Sequence, residues 1–232
     1  PDKVTIIIPV YNESKYINTI IDRVKKKINF KTQIIIVDDC SSDGTNKLIK
    51  NLNEIDQKIY HKRNMGKGAA IKSAIPFISG NIVAIQDADL EYNPYDLNNL
   101  IKALINENLN VIYGSRVLNK KRYSGKFISY FRIFGNQVLS LISNILNNQK
   151  LTDAHTCYKV FKRDIFLRLH LQENDFAFCP EVNTKISLLS EKIIEFPISY
   201  KGRNVKEGKK IRFTDALKAL STIIKYKYFK NE

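Results

Sequence analysis

The sequence predicts an α/β fold: a mostly parallel central sheet flanked by helices, followed by a C-terminal amphipathic helical segment. Three observations carry that expectation. β-Branched runs recur at Val4 to Pro9, Ile34 to Val37 and Ile82 to Ile85, and unbroken apolar runs suit strands covered on both faces. The stretches between them space apolar residues helically, and strands alternating with helices imply parallel pairing through right-handed crossovers. The runs also end in polar or acidic loops, and ligands bind at the carboxyl edge of an open α/β sheet.

The first strand, Val4 to Pro9, stops at proline, and from Glu13 the residues Tyr16, Ile17, Ile20, Ile21 and Val24 share one helical face. Ile34 to Val37 repeats the pattern and ends at Asp38 and Asp39; CSSDGT makes the turn into a helix through Leu48, Ile49 and Leu52. A short strand at Lys58 to His61 and a helix from Lys67 to about Ile78 follow. Then come the Ile82 strand, a helix near Leu97 to Ile105 that Pro94 and Asp96 open, and a strand at Val111 to Tyr113. Later segments include Phe127 to Leu146, too interrupted by Arg132, Gly135, Asn136 and Gln137 to face lipid as a span and suited to a core or interfacial helix. Phe213 to Phe229 sets Leu217, Leu220, Ile224 and Tyr228 beside Lys218, Lys225, Lys227 and Lys230, which suits either an anionic membrane surface or a docked terminal helix with a solvated basic face.

The 232 residues suffice for one α/β domain; residues 1–210 are expected to form it and residues 211–232 the basic helical appendage. No segment approaches about 18 uninterrupted apolar residues. PDKVTIII enters a strand at once, without the basic and apolar regions of a signal peptide, so the expected location is cytoplasmic, peripheral on the inner face of a membrane. Cys40, Cys157 and Cys179 are odd in number and unpaired in spacing, which argues against a disulfide framework or zinc site. A net charge of +15 favours an acidic partner without choosing among nucleic acid, an anionic membrane and a phosphorylated substrate.

The loop after the first strand, PVYNES, lacks the dinucleotide fingerprint, and Gly66, Lys67 and Gly68 are followed by Ala69 rather than the serine or threonine of a phosphate-binding loop. Asp87 and Asp89 fall at the carboxyl end of the Ile82 strand, where two alternating carboxylates can aim at one hard cation that bridges a diphosphate, or can simply cap the next helix. Tyr11, Asn12 and Glu13, then Asp38 and Asp39, end the neighbouring strands at the same edge. A base can lie against Pro9 and Tyr11 while a carboxylate accepts hydrogen bonds from it or from ribose. Together these loops describe a nucleotide and metal site. Nucleic-acid binding is not expected, because the acidic loops would repel phosphate.

The stretches IPVYNE, VDDCSSDGT, NMGKGAA, QDADLEYNP, YGSR, DAHTCYKVF, FCPEV and RNVKEGKKI together resemble a family 2 glycosyltransferase of the GT-A fold, of the dolichyl-phosphate mannosyltransferase-like group. The resemblance covers nearly the whole chain. It implies that Pro9, Tyr11, Glu13, Asp38, Lys67 and Asp87 bind the nucleotide of a UDP- or GDP-hexose. It implies that Asp87 and Asp89 hold Mg²⁺ or Mn²⁺, with Glu91 where related enzymes add a ligand, and that Arg116 and Arg132 handle an acceptor phosphate. Arg203, Lys209 and Lys210 fall on what resembles a mobile loop over the donor, although Lys209 and Lys210 stand where the dolichyl-phosphate type continues Gly-x-Ser-Lys. The chain has no Trp, so the Gln-x-x-Arg-Trp element of processive polymer synthases is missing.

The implied reaction is inverting displacement at the anomeric carbon, with Asp89 central to departure of the diphosphate. Two acceptors stay open. Polyprenyl phosphate, the first, is already anionic; a diacylglycerol-type hydroxyl would need a base, for which Glu181 or Asp153 is the candidate. Glu181 equally suits the first turn of a helix through Val182, Ile186 and Leu189. A sugar nucleotidyltransferase is the more distant alternative, and oligomeric state is not legible.

Overall fold

The computed structural model describes residues 2–118, 128–202 and 213–229, without the side chains of 128–136 and 213–216. Seven strands form one sheet: β1 (Lys3–Val10), β2 (Lys31–Asp38), β3 (Gln57–Tyr60), β4 (Ile82–Ile85), β5 (Val111–Ser115), β6 (Lys159–Lys162) and β7 (Ile193–Pro197), in the order β3-β2-β1-β4-β6-β5-β7. The β1–β2, β1–β4, β2–β3 and β5–β7 pairs are parallel. Helices α1 (Ile17–Lys27), α2 (Thr45–Asn51), α3 (Lys67–Ala74) and α4 (Pro94–Asn106) supply the crossovers. The expected strand–helix alternation up to β5 is therefore the observed one.

One strand departs from the expected pattern. β6 runs antiparallel between β4 and β5, pairing Val83 with Phe161 and Ile112 with Val160. Its four residues, KVFK, hold only two apolar residues between lysines, and IIEFP of β7 is broken by Glu195, so neither offers the unbroken apolar run that announces β4. Val160 and Phe161 are fully buried, so it is burial of both faces that holds so short a strand in place.

The core sits on both faces of β1, β2 and β4, where Ile6, Ile7, Ile8, Ile35, Ile36, Val37, Val83 and Ala84 are fully buried. Helix α1 covers one side with Ile17, Ile20, Ile21 and Val24, the face its spacing predicts. Beyond the sheet, α5 (Ile128–Asn147), α7 (Phe178–Leu188) and α8 (Phe213–Ile224) pack on one another, with α6 (Arg163–Arg168) after β6. A π-helical turn, Lys225–Phe229, extends α8, and Tyr226 within it is buried. No helix among the described residues is long and apolar enough to cross a membrane.

Candidate active site

Parallel register brings the loop-bearing ends of three strands level, since Val10 lies opposite Asp38 and Ile7 opposite Ile85. The first two loops are latched by short polar side chains. The Asn12 N–H donates to Ser41 Oγ at 2.8 Å, the Ser42 N–H to Asn12 Oδ1 at 2.8 Å, and the Glu13 N–H to Thr45 Oγ1 at 2.9 Å. Asp43 accepts from the Ser14 N–H at 3.0 Å and from Thr45 Oγ1 at 2.5 Å. Slight burial would raise the Asp43 pKa, but those bonds bring it down to about 2. Pro9 and Tyr11 stand at this edge, with the Tyr11 ring 48% exposed and open to a planar partner.

The backbone in these loops is unusual in a patterned way. Asn12, Cys40 and Leu90, one after each of β1, β2 and β4, take left-handed φ of 55°, 64° and 60°. The other non-glycine residues with positive φ, Glu54, Asn108, Asn148, His170 and Ser190, each follow a helix, where the left-handed conformation is a common terminator. Left-handed Cys and Leu after a strand have no such ordinary reason, and strain of that kind concentrates at functional sites.

Asp38 and Asp39 are both buried but do different things. Asp38 Oδ1 accepts the Ser41 N–H at 3.3 Å, within its own turn. Asp39 accepts from the Met65 and Gly66 N–H groups and binds His61 Nδ1 at 2.7 Å, so it anchors the NMGKGAA loop. Gly66 there has φ +97°, and a Cβ on it would lie 2.4 Å from the Asn174 carbonyl oxygen; a Cβ on Gly68 would lie 2.4 Å from that of Glu173. Glycine is required at both places by close backbone approach.

Asp87 and Asp89 do not cap α4: that position belongs to Asn93, whose side chain accepts the Tyr95 N–H at 3.1 Å, with Pro94 at the first helical position. Asp87 meets Lys67 Nζ at 2.5 Å, and the same ammonium lies 3.3 Å from Cys157 Sγ. Burial would lower the Lys67 pKa, but Asp87 outweighs it and raises it. Asp89 accepts the Glu91 N–H at 3.1 Å. Two partly exposed carboxylates at a sheet edge suit a hard cation that takes its other ligands from diphosphate and water. The third expected ligand, Glu91, accepts from the Tyr200 hydroxyl at 2.8 Å, and no three His, Cys, Asp or Glu groups converge among the described residues.

Across β4 lies a second constellation. Arg116 forms a fork with Asp153, Nε to Oδ2 and Nη2 to Oδ1 both at 2.7 Å, and its guanidinium lies 5.2 Å from the Tyr200 ring centroid and 6.0 Å from that of Tyr92. Burial would raise the Asp153 pKa, but Arg116 holds it below the usual carboxylate range. Asp153, named from the sequence as a candidate base, is here engaged in orienting Arg116. Glu181, the other candidate base, is engaged as well. It is fully buried in the first turn of α7, where it accepts the Gln172 N–H at 2.6 Å, the Glu173 N–H at 2.8 Å and Lys185 Nζ at 2.8 Å, so its oxygens are taken up in holding a loop.

Several residues here were not singled out by sequence. Glu195 on β7 accepts the N–H groups of Thr152 and Asp153 at 2.7 and 3.0 Å. Lys159, fully buried on β6, donates to the carbonyls of Thr156 at 2.6 Å and Ala154 at 3.3 Å and faces the Tyr113 ring at 4.3 Å. A lysine inside DAHTCYKVF was the available signal. Arg203, Lys209 and Lys210 lie outside the described residues, as does the side chain of Arg132, which belongs to α5.

Comparisons with known proteins identify the family and the fold. The family model "Glycosyl transferase family 2" matches residues 5–169. The chain is 25% identical over 89% of its length to "Glycosyltransferase GlyA" of Streptococcus pneumoniae, of which it spans only 31%. It is 28% identical over 97% of its length to a dolichyl-phosphate beta-glucosyltransferase, ALG5A, of Trichomonas vaginalis, and covers 73% of that protein. Among solved structures, glucosyl-3-phosphoglycerate synthase from Mycobacterium tuberculosis, in complex with Mn²⁺, UDP and glucosyl-3-phosphoglycerate, superimposes with a TM-score of 0.73 at 14% identity. That likeness covers 100% of this chain and 82% of the other, and it shows the shared fold.

Proposed function

The chain belongs to glycosyl transferase family 2, and from that premise we propose that it moves a hexose from a UDP- or GDP-sugar, with inversion, to a polyprenyl phosphate at the cytoplasmic face of a membrane. Residues 1–210 form the catalytic unit in this reading and residues 211–232 a membrane-associating appendage. The observation that carries the choice of acceptor is the commitment of both candidate bases. Asp153 is forked to Arg116, and Glu181 is buried under three donors. A hydroxyl acceptor would need one of them, whereas a phosphate monoester is already a nucleophilic anion. The name of the Trichomonas relative, a dolichyl-phosphate glucosyltransferase, supports the same class of acceptor.

In this mechanism the base lies on Pro9 and Tyr11, and the latched loops after β1 and β2 hold the nucleoside. Mg²⁺ or Mn²⁺ bound to Asp87 and Asp89 would supply Lewis-acid stabilisation of the departing diphosphate; the Mn²⁺ and UDP of the mycobacterial synthase support that ion class. Lys67 lies against Asp87 and contributes positive charge on the diphosphate side. Arg116, oriented by Asp153 through Nε and Nη2, has Nη1 outside that fork to direct to the acceptor phosphate. Arg132, Arg203, Lys209 and Lys210 are assigned in this reading to the negative charge of donor and acceptor phosphates.

The test is transfer of labelled sugar from UDP- and GDP-hexoses into polyprenyl phosphate with Mn²⁺, followed by mild acid. Label released by acid is the expected result. An acid-stable lipid product would instead indicate a glycoside on a hydroxyl.

A further inference from the structure

Helix α5 is amphipathic in the wrong sense for a helix facing water. Over 137–147, where its side chains are described, its buried residues are polar: Ser140, Ser143 and Asn147 are 3%, 1% and 2% exposed, with Leu139, Ile142 and Leu146 partly buried beside them. Its outward residues are apolar: Val138, Leu141 and Ile145 are 41%, 59% and 71% exposed and, at i, i+3 and i+7, form one ridge. The inward groups are bonded, with the Ala154 N–H donating to Ser140 Oγ at 3.0 Å and Asn147 Nδ2 donating to Thr184 Oγ1 at 3.1 Å. The inversion is therefore built, and an exposed ridge of this kind marks an interaction surface.

Helix α8, packed against α5, repeats the theme. It buries Ala219, Thr222, Ile223 and Tyr226 and shows Leu217, Ile224 and Tyr228 outward. On a helical projection Lys218 and Lys225 fall on one side of that second ridge and Lys227 on the other. We propose that the outward ridges of α5 and α8 together dock the protein on an anionic lipid bilayer.

Charge decides between a bilayer and a second copy of the chain. Lys218 and Lys225 are paired at the surface with Asp175 and Glu173 at 2.8 and 2.7 Å, which leaves Lys227 beside the ridge. A second copy would bring a second net charge of +15 against the first, whereas anionic headgroups neutralise it. The inward face of α5 also grips the acceptor-side loop: Asn144 exchanges two 2.8 Å bonds with Leu151, two residues before Asp153. A bilayer under α5 is thus one helix away from the Arg116 fork, which is how this inference deepens the lipid-phosphate reading it rests on.

The chain has no Trp, so a single introduced one reports its surroundings. With vesicles of phosphatidylcholine and phosphatidylglycerol, Ile145→Trp and Tyr228→Trp emission is expected to shift to the blue and to be quenched by lipids brominated on their chains. Phe77→Trp, exposed on the short turn after α3, is expected to do neither. Leu141→Glu and Ile145→Glu should each weaken vesicle partitioning about tenfold or more, with thermal melting unchanged and transfer to a detergent-dispersed lipid phosphate retained. Vesicle binding with Ile145→Trp still in water overturns this surface and leaves the transferase reading standing. A blue shift that follows protein concentration without vesicles overturns it in favour of a second copy. Failure of the parent protein to transfer in detergent strikes the transferase reading instead.

Discussion

The two halves of the site, on either side of β4, solve the same positioning problem with different materials. Around β1, β2 and β4 the loops are held by small polar side chains on backbone N–H groups; Asp38 and Asp39 are buried in holding those loops, while the Asp87 carboxylate at the end of β4 stays partly exposed, at 20% with its Lys67 partner at 25%. Around β5, β6 and β7 the charges are sealed in, with Asp153 1% exposed and Glu181 0%. An exposed carboxylate can exchange its partners for a ligand; a buried one bound on every side can only hold something else still. The contrast assigns chemistry to the first half and orientation to the second.

The largest effect is expected where the contrast is sharpest. Asp89→Asn should lower transfer by about 10²–10³-fold, the scale of losing one group that stabilises departing charge, with the urea midpoint unchanged. Asp153→Asn should do the reverse. Leaving Arg116 buried without its carboxylate costs about 3–5 kcal/mol of stability, read from urea unfolding, and any loss of turnover should be accompanied by a rise in acceptor KM. If Asp89→Asn proved as destabilising as Asp153→Asn, the two halves would not be built differently. Gly66→Ala tests the seam between NMGKGAA and the 172–175 segment; positive φ and the Asn174 carbonyl at 2.4 Å predict a loss of about 1–3 kcal/mol.

The smallest effect separates the halves by pH. Burial, then the nearby charge of Lys159, lowers the His155 pKa from 6.5 to about 4. Its neutral form is the folded one, so its contribution is complete above pH 6.5 and is lost as pH falls through about 4. Asp43, lowered from 3.8 to about 2, keeps its contribution above pH 3.8 and loses it on the way to 2. Hydrogen exchange on acidification should therefore open residues 151–158 before the Asn12–Thr45 latch, and His155→Gln should remove the earlier transition. Simultaneous opening would contradict this order.

How much of this was legible followed from chain order. β1, β2 and β4 recur as strand, loop and helix, so Tyr11, Asp38, Asp87 and Asp89 could be placed at one edge from residue pattern alone. β6 arrives after α5 and inserts antiparallel between strands already laid down, and no local pattern announces such a partner. The bonding of both candidate bases escaped the sequence for one physical reason: a carboxylate's availability depends on what surrounds it. The Arg116 fork spans 37 residues, and the Gln172 and Glu173 N–H groups belong to an irregular segment that spacing does not predict. The Asn93 cap, by contrast, was local, and it alone separates Asp87 and Asp89 from the helix-capping role that they could equally have filled.

The most direct test uses water as the acceptor. With nucleotide sugar and Mn²⁺ but no lipid, the parent protein is expected to hydrolyse the donor slowly, and release of nucleoside diphosphate reports the first half by itself. Arg116→Lys should keep that slow release while losing transfer to polyprenyl phosphate, and Asp89→Asn should lose both. Loss of hydrolysis in Arg116→Lys, in protein whose melting shows it folded, would contradict the division of labour between the halves.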